Sequence, residues 1–190
     1  VFIISKETFI DPCQKFSYIR NNTLYCINEH CDLDFLSGLN ESKSKLFLYN
    51  IHYFDFLHND NSCKEDSKAA IAFWLENCDF HANISGHAYP TSLRIVNWIK
   101  WKIVHGETVP EMDVSLGEQA GLLFSNIEYD ILGNHLFTNA KALIFYGVAF
   151  EGALAKRCLK KGLDIFFNEI EEQIAAVPGV LEVGVIGVPD

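Results

Sequence analysis

Two stretches carry side chains whose types and spacing could do chemistry. In "YPTSLRIVNWIKWKIVH" (89–105), Thr91, Arg94, Trp98, Trp101 and His105 recur at helical spacing, with Ile95, Ile99 and Ile103 on the neighbouring face. A guanidinium forks onto a carboxylate and indole rings stack on pyranose faces, so an arginine among tryptophans suits an acidic sugar. The other reading open here places the tryptophans in a core with Arg94 snorkelling. In "LGNHLFTNAKALIFYG" (132–147), Asn134 and His135 open an otherwise apolar helix. At 100° per residue, His135, Asn139, Ala142 and Tyr146 fall at about 0°, 40°, −20° and 20°, one stripe beside Leu136, Ala140, Leu143 and Ile144. Such a stripe needs matching groups on a partner helix or a wet cavity. Its alternative is an N-cap at Asn134 with His135 as a satisfied surface or core histidine.

The elements that must position these groups follow from composition and punctuation. With 190 residues, 49% of them apolar, the chain is long enough for one real core. A net charge of −10 argues against nucleic acid, which needs a basic face. Any acidic ligand therefore needs a local cationic patch, and Arg94, Lys100, Lys102 and Lys141 would supply one if they line one cleft. Six cysteines are too few for a disulfide scaffold, and Cys26, His30 and Cys31 lack the second half of a zinc site, so neither metal nor cofactor is expected. No apolar run reaches membrane-span length, and "VFIISKETF" is not a signal peptide. The first residue is Val, so an upstream part is expected to be missing and the compartment stays unassigned.

Residues 1–65 read as irregular, broken by "RNNT", "NESKSK" and "HNDNSCKED". Helices are expected at 67–78, 89–104, 114–131, 134–150 and from 153 into the 160s, with links short enough for antiparallel hairpins. The fold class is therefore all-α over 66–173. The remaining 174–190, with "VPGVLEVGVIGVPD", reads as a turn and a strand out of place in a helical domain.

The motifs "LYNIHYFDFL" (48–57), "HAYPTSLRIVNWIKW" (87–101) and "NIEYDILGNHLFTNAKALIFYGVAFEG" (126–152), in consistent order over roughly 45–173, resemble the N-terminal helical domain of heparinase II/III-like polysaccharide lyases. The resemblance implies part of an incomplete α/α toroid, followed in relatives by more toroid helices and a β-sandwich. It implies β-elimination on a uronic-acid polysaccharide such as heparan sulfate or alginate, and a periplasmic or secreted setting. On this match Asn134 neutralises the uronate carboxylate and stabilises the enolate-like intermediate, His135 assists, and Tyr89, Arg94, Trp98, Asn139 and Tyr146 bind substrate.

The match then breaks. Relatives place a catalytic tyrosine about fifty residues after the Asn-His pair, whereas no tyrosine or histidine follows Tyr146 here, so the chain is expected to be inactive alone. The end, "EIEEQIAAVPGVLEVGVIGVPD", is similar to a C-terminal segment of AMP-forming acyl-CoA synthetases without their adenylation motifs. A junction at 169–175, in a truncated or hybrid reading frame, accounts for both. The competing function is a noncatalytic helical module that binds carbohydrate or only packs.

Overall fold

In the computed structural model, which describes residues 1–3, 15–37, 42–81, 83–131, 134–176 and 178, the turn-rich start contains a three-stranded antiparallel sheet. Its strands are β1 (Tyr18–Arg20), β2 (Thr23–Cys26) and β3 (Glu29–Asp32). Asn21-Asn22 and Ile27-Asn28 make the two-residue links, all four at positive φ, the geometry whose twist matches a tight hairpin. Alternation along the strands turns Ile19, Leu24, Cys26 and Cys31 inward. The region 1–65, expected to be irregular, instead holds this sheet. "RNNT" is a hairpin turn rather than a loop, and these inward residues share the main core with the helices.

Helix α1 (Lys45–Tyr53) also lies in that region. Ser44 accepts from the Phe47 amide at 3.2 Å to start it, and Phe54, at φ 60°, ends it. The remaining helices are α2 (Lys64–Asn77), α3 (Ala88–His105), α4 (Met112–Ser125), α5 (Asn134–Ala149) and α6 (Ala153–Ala175). The chain is thus mostly helical, as its periodicity implies. α4 stops six residues short of the expected end. Asn126 Nδ2 turns back to the Leu122 carbonyl, and the Glu128 amide donates to Asn139 Oδ1 on α5, drawing the chain out of helix. α6 runs to Ala175, and the strand expected within 174–190 lies outside the described residues. Among the described residues no helix is long and apolar enough to cross a membrane.

α3 is buried nearly all round and packs against α1, α4 and α5. Phe54, Trp74 and Trp98 meet edge to face beside it, with centroids 5.2 to 6.4 Å apart. The α5–α6 seam is set by two glycines. A Cβ at Gly147 would stand 2.6 Å from the Leu159 amide nitrogen, and one at Gly162 would stand 2.8 Å from the Ala140 carbonyl oxygen. Since the obstacle is backbone, Gly162→Ala is expected to lower stability by about 1–3 kcal/mol, read as a fall in the urea midpoint at unchanged slope.

Two histidines are held neutral by the core. Burial, then the Arg94 charge, pushes His52 down from 6.5 to about 3. Burial, then Lys100, lowers His58 to about 4. An unfolded chain binds these protons near pH 6.5 and the folded chain does not, so folding loses stability as pH falls from about 6.5 towards 4. Melting curves across that range should show the loss, and His58→Gln should make it shallower. An unaltered pH profile in that variant would remove His58 from the loss and leave it to His52 or to carboxylates.

Candidate functional site

Two neighbouring helices bring polar side chains together in their first turns. α3 begins at Ala88 and presents Tyr89; α5 begins at Asn134. Asn134 Nδ2 donates to Tyr89 Oη at 3.3 Å, and the His135 ring packs on the Tyr89 ring with centroids 4.3 Å apart. Asn134 is exposed and His135 half-buried. His135 Nδ1 faces Glu128 Oε2 at 3.4 Å. A proton on Nδ1 pointing at that carboxylate leaves Nε2 as the nitrogen open to a ligand. The start of α5 adds the partial positive charge of its unpaired amides.

Sequence reasoning missed the rest of the cluster. Tyr53 meets the Tyr89 ring edge to face at 5.7 Å, and Tyr49, one turn earlier on α1, shares a 2.5 Å hydrogen bond with His87 Nδ1. Their i, i+4 spacing in "LYNIHYFDFL" was the available signal. Glu128 had none, since only the α4–α5 link brings it to His135. Burial, then the neighbouring phenols Tyr89 and Tyr49, pushes Tyr53 up to about 12. Burial and the Glu128 charge raise Tyr49 as well. Both remain protonated at neutral pH, so they donate hydrogen bonds or protons and do not act as bases.

The structure places the other expected site residues below this surface turn. Arg94 has no solvent exposure. Its Nε donates to Gln119 Oε1 at 2.7 Å, Nη1 to the His52 carbonyl at 3.3 Å, and Nη2 to the Ser85 carbonyl at 3.0 Å, while Cζ lies 4.3 Å over the Trp74 ring. Burial lowers it to about 9, which leaves it cationic at neutral pH and already committed to protein acceptors. Trp98 is likewise fully buried in the aromatic cluster. Asn139 is buried one turn below His135, where Nδ2 donates to Ser92 Oγ and Glu128 Oε2 and Oδ1 holds the Glu128 amide. Tyr146 lies three turns down α5, about 18 Å from Asn134 along the axis. It stacks on Phe150 and packs its hydroxyl near Gly117 of α4. Nor do the helix cations share one cleft: Lys102 pairs with Asp113 beside the Phe2 ring, and Lys100 lies near Phe145.

Tyr89, Asn134 and His135 are therefore the expected residues that the fold brings together, joined by Glu128, Tyr53, Tyr49 and His87. They offer neutral donors for an anionic oxygen and two imidazoles, His87 against Tyr49 and His135 against Tyr89. Among the described residues, no group of three or more histidines, cysteines or carboxylates is placed to hold a metal. Compared with protein-family models, curated proteins and solved structures, the chain matches none.

Arg94→Met is expected to cost about 3 kcal/mol of stability, because it strands the Gln119 amide oxygen in the core and removes the ties to the His52 and Ser85 carbonyls. Urea unfolding checks this. An unchanged midpoint alongside weakened binding of an acidic oligosaccharide would return Arg94 to the ligand.

Proposed function

We propose that the chain is the Asn-His-bearing helical part of a polysaccharide lyase that acts on a uronic-acid glycan by β-elimination. The observation that carries this reading is the exposed Asn134–Tyr89–His135 group at the start of two helices, with Glu128 fixing the histidine. Elimination removes the proton beside the uronate carboxyl, forms a carbon–carbon double bond and expels the glycosidic oxygen, which takes a proton. The proton removed is too weakly acidic while the carboxylate keeps its full charge. Donors fixed in advance on that carboxylate lower the cost, and the Asn134 amide with the α5 amides supplies them. His135 Nε2 is the group available to move a proton.

A tyrosine that completes the acid–base pair in the resembled family does not follow Tyr146 in these residues. The chain by itself is accordingly read as binding its glycan without turning it over. The second reading, a noncatalytic carbohydrate-binding module, is favoured by the burial of Arg94, Trp98 and Tyr146, which shortens the site to its outermost turn.

The test incubates the protein with heparan sulfate, alginate and hyaluronan, follows the ultraviolet absorbance of unsaturated uronate, and measures binding in parallel. Binding of at least one uronic-acid glycan, without absorbance change, is expected. Asn134→Ala should weaken it roughly tenfold or more, the loss of a hydrogen bond to a charged group. A rise in absorbance abolished by Asn134→Ala would establish a working lyase with its second proton-transfer group inside the chain. Failure to bind any of the three would overturn both readings.

A further inference from the structure

Beside the Asn134 group lies a cleft of about 660 Å³ between the start of α1, the loop before α3 and the end of α4. Its polar lining is Lys43, Lys45, His81, Asn83, His87 and Asn126, and among the described residues no aspartate or glutamate lines it. That is a departure in sign for a chain with 25 acidic and 15 basic residues. Lys43 is partly neutralised by Glu29 at 2.7 Å, whereas Lys45 is exposed and has no ion pair with any described carboxylate. The cations here stand where a net −10 protein most needs them to hold a polyanion.

The wall of the cleft is built rather than loose. A Cβ at Gly86 would overlap the Phe80 carbonyl, so the 80–86 loop closes on itself only with glycine there. Asn83 accepts from the Ser85 amide at 2.9 Å and donates to the Asp79 carbonyl at 2.7 Å. Arg94 Nη2 and Thr91 Oγ1 both anchor the Ser85 carbonyl from the core. On that wall the exposed His81 ring lies against the buried Phe80 ring, centroids 4.2 Å apart. A flat ring held in place is a surface on which a sugar face can rest.

The cleft is continuous with the first group. His87 lines it and bonds Tyr49, and one turn along α1 Tyr53 meets Tyr89, the partner of Asn134. We propose that this cleft is a second anionic-sugar subsite, in which Lys45 and the His81 ring hold a unit of the same glycan next to the one whose carboxylate Asn134 binds. This rests on the reading of the Asn134 group as a uronate site.

The test is calorimetric titration with a heparin-derived hexasaccharide, with maltohexaose as the neutral control. Wild type is compared with the Lys45→Gln/His81→Ala double variant and with Asn134→Ala, all three checked by melting curve. The double variant is expected to bind the acidic hexasaccharide at least about threefold more weakly, with a shallower dependence on salt, and maltohexaose should not bind. Weakening in Asn134→Ala alone would overturn the subsite and leave the Asn134 reading standing. Weakening in the double variant alone would keep an anionic-sugar cleft and overturn the Asn134 reading. Equal binding of maltohexaose, or no binding of the acidic hexasaccharide to wild type, would overturn the subsite.

Discussion

A guanidinium without solvent exposure needs protein acceptors for its N–H groups, and Arg94 takes them from separate parts of the chain. They are the His52 carbonyl near the end of α1, the Ser85 carbonyl in the loop before α3, Thr91 on its own helix and Gln119 on α4. Trp74 of α2 supplies the face of its ring. Among the described residues no carboxylate pairs with it, and carbonyl dipoles and π density offset its desolvation. Burial keeps His52 neutral, and this cation adds to the effect, since an imidazolium would stand beside it. One buried charge thereby fixes the relation of four helices and a loop.

The loop is where this constraint reaches the surface. Ser85 is tied from below by Arg94 and Thr91, and the chain leaves it directly into His87 and the first turn of α3. The position of Tyr89 opposite Asn134, and of His81 on Phe80, therefore depends on a group that no ligand touches. Asn139 plays the matching part on the other side, holding both the amide and the carboxylate of Glu128 so that the carboxylate meets His135.

Helix periodicity recovered α2, α3, α5 and α6 well, because long apolar stripes have few competing readings. α1 escaped notice: its nine residues mix tyrosine, asparagine and histidine into a short apolar run. The sheet escaped because Asn-Asn was recognised as a breaker and not as a hairpin link. For the site, periodicity gave the right azimuth and the wrong depth. His135, Asn139 and Tyr146 do share a stripe, but only its outermost turn is open, while lower turns face Ser92 and the neighbourhood of Gly117. Which helix covers which turn is a tertiary fact that spacing along one helix does not contain. Arg94 shows the same limit, since an arginine among tryptophans has one pattern whether the carboxylate is a ligand's or the acceptors are carbonyls.

All three tryptophans of the chain are in the core: Trp74 is 1% exposed, and Trp98 and Trp101 are 0%. Among the described residues the Trp98 and Trp101 indole N–H groups have no hydrogen-bond partner. Buried indoles are expected to emit in the blue and to report the integrity of the core, while the proposed sugar-binding surface presents tyrosine and histidine rings. Intrinsic fluorescence is therefore expected to follow folding first, and Trp74, stacked on Phe80 beneath His81, is the indole that reaches towards the proposed cleft.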